Sequence, residues 1–393
     1  MIFYAVLLSM YIYAGSSLGS GSLTQWFGRD EQATQTLTCG TDMPARENLS
    51  ASNNSQLRKL AEYEHVCGSA FADTHMLFSG MPATSEEAMR LGNQLATKLK
   101  EFDEYTVRPL VIVEPVTPDG TMLSMAEVAA GTYDEPLAAF FRTLEQRGVT
   151  DGMMGTWVPF PEANTPAWVS TDATQFSQAV TRMVRLQKLT FPDSKASVML
   201  GSQTYPSNDT EWLNGSFKSL TPYTQGIPKG LIDSFGYQGF PWQPAANTNG
   251  YELIDPKKFL RTDYAIGAAE ALGVRTIWLN TGTFARSHTA DSATEVAMSP
   301  AERARILTGI TDQAAALKRQ GFEVSINIFA EDKSATVEAV DWSYWPAGEA
   351  RNSKARPVLT DFMRRSNEQG VPVWIFDDDA SGMTASESYL RHR

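Results

Sequence analysis

The sequence contains eight short apolar segments, separated by stretches with helical periodicity. Each segment is rich in aliphatic and aromatic residues and is bounded by Gly, Pro or Asp, which is typical of buried β-strands. The segments span residues 75–80, 107–115, 153–160, 197–205, 231–240, 275–284, 323–330 and 372–378. Eight strands that alternate with helices predict a (β/α)8 TIM barrel of the α/β class. A doubly wound sheet is the alternative, but its usual Gly-rich phosphate-binding turn does not follow the first segment.

Two of the intervening helices have recognisable first turns. Residues Thr84 to Glu87 match a capping box, in which a threonine and a glutamate satisfy free backbone N–H groups. Ser299, followed by Pro300 and Glu302, provides an N-cap, a proline at the first helical position and a glutamate at the third. We expect this second helix to end at Gly321.

The N-terminal part of the chain lacks this alternation. Residues 2–14 are almost all apolar, and a run of ~13 residues has the length of a signal-peptide core rather than of a bilayer span. We therefore assign residues 1–22 to a signal peptide or membrane anchor, 23–72 to an extended polar arm and 73–393 to the barrel. This assignment predicts a secreted or cell-surface protein, in which Cys39 and Cys67 are candidates for a disulfide.

Composition excludes several classes of partner. The formal net charge of −12 argues against binding to a nucleic-acid backbone, which requires clustered Lys and Arg. No CxxC motif or His/Cys cluster is present, so we predict no metal and no cofactor. The run Asp377 to Asp379 is interpreted as a solvated strand end. We expect a monomer.

The active site of such a barrel lies at the carboxyl ends of its strands. Carboxylates, amides and aromatic residues follow the predicted strands, as sugar hydrolysis by two carboxyl groups requires. Near the strand ends lie Glu114, Glu162, Asn164, Trp168, Gln203, Tyr205, Tyr237, Gln238, Trp242, Asn280, Thr281, Glu331 and Asp332. Trp157 and Trp278, inside predicted strands, are assigned to the core, whereas Trp168 and Trp242 are candidate platforms for sugar rings.

Three consecutive blocks carry a resemblance to a known family. PLVIVEP, LSMAEVAAGTYDEPLAAF and VPFPEANTPAW are similar to glycoside hydrolase family 26 and its β-mannanase and β-glucanase relatives. LIDSFGYQGF, TIWLNTGTF and INIFAEDKS look like that family's sixth, seventh and eighth strands. The resemblance covers about residues 107–365 and leaves one early strand unassigned. The run at 372–378 is expected to fill this gap, beside the first strand.

The resemblance implies a general acid/base at Glu162, with Asn164 as a nearby polar partner. The sequence departs from the family pattern beside this acid, where Val158 and Pro161 replace an arginine and a histidine. The position of the nucleophilic glutamate falls on Asn280 or Thr281. An amide or hydroxyl there cannot form the usual glycosyl-enzyme ester.

Two functions are compatible with these residues. The first is a hydrolase of β-linked polysaccharide, of the mannan or glucan class, with Glu162 as acid and Glu331 or Asp332 as base. A surface ion cluster remains the alternative interpretation of Glu331 and Asp332. The candidate substrate-binding residues are Glu114, Asn164, Trp168, Tyr205, Tyr237, Trp242 and Asn280. The second function is a non-catalytic carbohydrate-binding or cell-surface barrel that has lost its nucleophile.

Overall fold

The computed structural model has eight parallel β-strands in one sheet, with helices between them. It describes residues 55–67, 74–164, 172–202, 220–244, 251–253, 255–284, 286–288, 295–330, 332–333, 340–341, 344 and 356–376. The strands of the main sheet are β1 (Thr74–Ser79), β2 (Arg108–Val113), β3 (Thr156–Pro159), β4 (Lys195–Gly201), β5 (Ser234–Gln238), β8 (Thr276–Gly282), β11 (Glu323–Phe329) and β14 (Val373–Phe376). They are hydrogen-bonded in this order, and β14 also lies beside β1. The sheet is therefore a nearly closed (β/α)8 barrel, as predicted.

The order of the strands confirms the expected place of the last segment. β14 pairs with β11, so it fills the gap between β11 and β1. If the strands are counted around the barrel from β14, the strand that precedes Glu162 is the fourth. The strand that carries Asn280 is then the seventh, as the family resemblance implies.

Helices surround this sheet and bury an apolar layer against it. The longer helices are α1 (Ser55–Cys67), α2 (Ser85–Glu104), α4 (Asp134–Gln146), α6 (Ala173–Thr190), α9 (Thr262–Leu272), α10 (Pro300–Arg319) and α11 (Arg356–Glu368). Shorter helices are α3 (Met125–Ala130), α5 (Asp151–Met154), α7 (Thr221–Thr224) and α8 (Pro256–Phe259). No described helix combines the length and the apolar character that a membrane crossing requires.

The predicted helix starts are largely confirmed. The Ser299 side chain accepts a hydrogen bond from the Glu302 backbone, and the Glu302 carboxylate accepts one from the Ser299 backbone. At α2, Thr84 caps the Glu87 backbone, but the Glu87 carboxylate reaches the Ala83 N–H one residue further back. The left-handed φ of 84° at Gly321 ends α10, because this conformation favours glycine.

The predicted extended arm is wrong for its last part. Residues 55–67 form the helix α1, whose Leu57, Leu60 and Tyr63 are buried in the main core. Their spacing of three residues places them on one face of a helix. Cys67 at the end of α1 is buried, whereas residues 1–22 and Cys39 lie outside the described residues.

Three of the loops at the carboxyl end of the barrel contain short strands of their own. β6 (Trp242–Pro244) and β7 (Tyr251–Leu253) form a hairpin after β5. Four further strands form one antiparallel sheet: β9 (Arg286–His288), β10 (Glu295–Ala297), β12 (Asp332–Lys333) and β13 (Val340–Asp341). Since β9 and β10 follow β8 and the other two follow β11, this sheet joins two adjacent loops at the end of the barrel where the site was predicted.

Candidate active site at the carboxyl end of the barrel

Glu162 lies in a tight turn that follows β3. The residues on both sides of Pro161 have left-handed backbones, with φ of 54° at Phe160 and 53° at Glu162. Positive φ is uncommon for non-glycine residues and costs on the order of 1–3 kcal/mol, so it is retained where the surroundings enforce it. Here the Phe160 N–H donates to the Val113 carbonyl (2.8 Å) and the Glu162 N–H to the Met199 carbonyl (2.9 Å). The turn is thereby fastened to the strands on both sides of β3.

The Glu162 side chain is only 2% exposed, and it is supported by an amide. The Gln238 Nε2 group, at the end of β5, donates a hydrogen bond to Glu162 Oε1. A buried carboxyl group requires such partners, because an unsolvated charge is costly inside a protein. The strained backbone and the hydrogen-bonded carboxyl group together make this turn the strongest candidate for a functional centre among the described residues.

Three amides on adjacent strands continue from this carboxyl group in a chain. Gln238, Asn280 and Asn327 lie level with one another in the register of β5, β8 and β11. Asn280 Nδ2 donates to Gln238 Oε1, and Asn327 Nδ2 donates to Asn280 Oδ1. All three residues are buried. The position that the resemblance assigns to the nucleophile is therefore part of a hydrogen-bonded amide chain.

Tryptophan side chains fill the barrel interior around this level. Trp278 lies two residues before Asn280 on β8, and its ring centroid is 5.7 Å from that of Trp374 on β14. Trp278 Nε1 donates to the Ser197 hydroxyl (2.9 Å). Gly236 on β5 makes room for this indole, because a Cβ atom there would lie 2.3 Å from the ring. The core assignment of Trp278 is confirmed, as is that of Trp157, which is 1% exposed.

Asn164 holds the turn that follows Glu162. Its Nδ2 donates to the Gly201 carbonyl and its Oδ1 accepts from the Gly201 N–H, both at 2.9 Å. These two bonds attach the turn to the end of β4. Asn164 is thus the nearby polar partner that was expected, acting through the backbone, while its contact with a substrate stays a prediction.

The structure corrects the prediction for Tyr237. Successive residues of a strand face opposite sides, so Tyr237 faces away from the barrel interior that Gln238 enters. The Tyr237 ring is buried in the layer between strands and helices, where burial raises the pKa of its hydroxyl. It lies beside Arg261 and Tyr264 near the start of α9. Gln238 is the β5 residue that contacts Glu162.

The other predicted site residues are placed in part. Glu114 is buried directly after β2, and its N–H donates to the Ser79 carbonyl (3.0 Å). Asp332 belongs to β12, opposite Asp341, and Trp242 begins β6; only their backbones are described. Trp168, Tyr205 and Glu331 lie outside the described residues, as do Gln203 and Asp377 to Asp379. Within the described part of the chain, no group of three His, Cys, Asp or Glu side chains is arranged to hold a metal.

Two participants in the amide chain were not among the predicted site residues. Gln238 was recognised at a strand end, but Tyr237 was chosen instead. Asn327 was not considered, although it is the one amide within the apolar run Val324 to Ala330. A buried amide inside such a strand requires a hydrogen-bond partner, and this signal points to it.

A buried arginine supports the loop after β8. Arg303 of α10 donates from Nε to the Thr283 hydroxyl and from a terminal nitrogen to the Thr283 carbonyl, both at 3.0 Å. Its guanidinium lies 4.2 Å from the centre of the Tyr344 ring. The Thr283 hydroxyl also lies 3.1 Å from the Tyr344 hydroxyl. These contacts join the loop after β8 to the residues that follow β13.

The architecture has counterparts among solved structures. An exo-β-1,4-mannosidase from Opitutaceae bacterium strain TAV5 superposes with a TM-score of 0.52 at 16% identity, over 91% of this chain and 59% of the mannosidase. This chain thus spans under two thirds of that protein's length. A β-glucosidase from Thermotoga maritima matches with a TM-score of 0.46 at 10% identity, over 92% of this chain and 99% of the glucosidase.

The comparisons support the fold alone. An endo-β-1,4-mannanase from Thermotoga petrophila gives a TM-score of 0.39 at 10% identity, over 70% of this chain and 62% of the mannanase. No protein-family profile matches the sequence, and no curated protein sequence matches it. The chain therefore has a glycoside hydrolase-like (β/α)8 barrel, as the mannosidase comparison indicates.

Proposed function

We propose that this barrel acts on a β-linked polysaccharide of the mannan or glucan class, with Glu162 as its acid/base. The observation that carries the proposal is the position of Glu162: a buried carboxyl group in a strained turn at the carboxyl end of the barrel, bonded to an amide. Barrel enzymes place their catalytic groups at this end. The fold shared with a mannosidase and the similarity of VPFPEANTPAW to family 26 favour a glycan as the ligand.

The chemistry requires a second carboxyl group. In an inverting hydrolysis, one carboxyl group protonates the leaving oxygen while the other activates a water about 6.5–9.5 Å away. Asn280 cannot supply that group, so we propose Glu331 or Asp332 as the base. Both belong to the loop after β11, which adjoins the strand that carries Asn280.

The second candidate function is glycan binding without cleavage, and a specific observation favours it. Asn280 donates to one amide and accepts from another, so it is integrated into the buried amide chain. A former nucleophile position that has been reused in this way is expected of a barrel that retains a sugar site after losing catalysis. In this case Glu162 accepts hydrogen bonds from sugar hydroxyls.

The decisive experiment measures cleavage and binding together. Reducing-sugar release and glycan binding are followed on mannans, mixed-linkage glucans, xylans and bacterial wall glycans. Wild type is compared with Glu162→Gln and with Glu145→Gln, which alters an exposed glutamate on α4 and serves as the matched control. We expect cleavage by wild type and by the control, and a loss of 100-fold or more, roughly the value of acid–base catalysis, in Glu162→Gln.

The outcomes separate the two functions. Cleavage that Glu162→Gln abolishes establishes the hydrolase, and the same assay on Glu331→Gln and Asp332→Asn then locates the base. Binding without cleavage in wild type establishes the second candidate. If none of these glycans is bound or cleaved, or if Glu162→Gln changes neither property, Glu162 is not the centre of a glycan site.

Export is the remaining part of the proposal. It rests on the apolar residues 2–14 and the Gly/Ser-rich residues 15–22. Expression with and without residues 1–22, followed by fractionation of cells and medium, tests it. We expect only the full chain to reach the medium or the cell surface.

A further inference from the structure

The amide chain that ends at Glu162 begins at a methionine. Asn327 Nδ2 lies 3.8 Å from Met76 Sδ, within reach of a weak hydrogen bond to sulfur, and it also donates to Asn280 Oδ1. A thioether sulfur is an acceptor only. The nitrogen of the Asn327 amide therefore has acceptors for both of its hydrogens on this side.

The position of this nitrogen sets the direction of every bond that follows. Because Asn327 donates to Asn280 Oδ1, the Asn280 nitrogen is turned toward Gln238 and donates to Gln238 Oε1. The Gln238 nitrogen is in turn directed at Glu162 Oε1. Reversing one amide alone would place two donors or two acceptors against each other, so the three amides have a common direction.

We propose that Met76, Asn327, Asn280 and Gln238 act as positioning residues that together favour the ionised form of Glu162. A hydrogen bond donated to a carboxylate stabilises the charged form relative to the protonated one. The reverse direction, in which a protonated Glu162 donates to Gln238, would turn the Asn327 oxygen toward the Met76 sulfur and set two acceptors against each other. The contact with Met76 therefore favours an acceptor at the far end of the chain.

This inference deepens the proposed function and rests on the role of Glu162 in it. A carboxylate held as an acceptor is suited to receive a proton from water or a hydrogen bond from a sugar hydroxyl. Glu162 then begins the reaction as a base or as a sugar-binding group. Asn280, at the expected nucleophile position, is a link that carries the bias from β11 to β3.

The test is a titration of the Glu162 carboxyl group in the full chain. The protein is labelled with glutamate carrying 13C at the carboxyl carbon, and the Glu162 signal is identified by its loss in Glu162→Gln. The pH midpoint of this signal is then compared in wild type, Gln238→Met and Asn327→Leu. The matched control is Ser325→Ala, which removes a buried hydroxyl from the same strand two residues from Asn327.

We expect Gln238→Met to raise the midpoint by about one pH unit, since a hydrogen bond to a charged group is lost. Asn327→Leu should raise it by a smaller amount in the same direction, and Ser325→Ala should leave it unchanged. Met76→Leu, which conserves volume and removes only the sulfur acceptor, should raise it by a few tenths of a unit, roughly the effect of a weak bond. This variant keeps the test decisive if Asn327→Leu does not fold.

Two results would overturn the inference. The first is a midpoint that does not move in Gln238→Met. The second is a shift in Gln238→Met that neither Asn327→Leu nor Met76→Leu reproduces beyond Ser325→Ala, since the bias would then not pass along the chain. The readout needs no glycan, so a failure to find cleavage or binding leaves this result intact and is distinguishable from it.

Discussion

His75 and Glu162 are both buried ionisable residues of the barrel, but they lie in different layers. The His75 ring, on β1, faces the helices, where its centroid is 6.2 Å from that of Phe102. Burial lowers the pKa of His75 from 6.5 to about 4, against the opposing effect of a hydrogen bond with the Ile375 backbone. His75 is therefore neutral near pH 7, whereas Glu162 lies at the barrel end on an amide chain.

The difference shows that burial alone does not mark a functional group. In the outer layer, an apolar environment suppresses the charge of His75, and the result is a packed wall. At the carboxyl end of the barrel, a strained turn and directed hydrogen bonds hold Glu162 in place. The following predictions test whether the outer layer contributes stability and whether the amides depend on one another.

The largest effect is expected in the outer layer, at Trp157. This indole packs against Phe140 and Phe141, with centroid distances of 5.9 and 5.3 Å, and its Nε1 donates to the Met154 carbonyl. Trp157→Ala should lower the free energy of unfolding by about 3–5 kcal/mol, measured by urea denaturation. Leu189→Ala, at a side chain that is 81% exposed, is the control and should change it by less than about 0.5 kcal/mol. Similar losses in both would contradict an outer-layer core.

The next effect is the dependence of stability on pH through His75. The folded pKa of about 4 lies below the unfolded value of 6.5, so the unfolded chain binds the proton first as pH falls. The contribution is complete above the unfolded pKa and is lost as pH falls from there toward 4. It should amount to about 2–3 kcal/mol between pH 7.5 and 4.5. His75→Leu should remove this component from the unfolding free energy; an equal pH dependence in both proteins would refute the assignment.

A smaller effect distinguishes the two faces of one strand. Asn280→Leu leaves the Gln238 oxygen and the Asn327 nitrogen without their bonds to residue 280, at a cost of about 1–3 kcal/mol. Thr281→Val alters the next residue, whose buried hydroxyl has no hydrogen-bond partner among the described residues. That variant should be neutral or slightly stabilising. Thermal unfolding of the two proteins gives the comparison, and a greater cost at Thr281 would argue against the amide chain.

The smallest effect is expected on the outer surface. Arg182 donates two hydrogen bonds of 2.6 Å to Asp134, but the two side chains are 40% and 37% exposed. Solvent screens such a pair, so Asp134→Asn should lower the free energy of unfolding by about 0.2–1 kcal/mol. The loss should shrink in about 1 M salt. Glu145→Gln on the same helix is the control, and a loss above that of Asn280→Leu would reverse the order proposed here.

Local sequence patterns predicted most of the framework. All eight strands were found, because short apolar runs bounded by Gly, Pro or Asp reflect burial on both faces. The cap at Ser299 and the end at Gly321 depend on residues adjacent in the chain. The helix at 55–67 was missed because its apolar residues are few and lie within a long polar region. Of the described site residues, Glu162, Asn164 and Asn280 were found because each lies at a strand end.

The sequence by itself determined the element types and the kinds of side chain that collect at the carboxyl end of the barrel. The tertiary structure decided which of those side chains meet. Tyr237 and Gln238 are neighbours in the chain, yet only the register with Asn280 shows that Gln238 enters the interior. Met76 and Asn327 are 251 positions apart, and they meet because the barrel closes through β14. Contacts between distant strands depend on strand order and register, which local patterns do not encode.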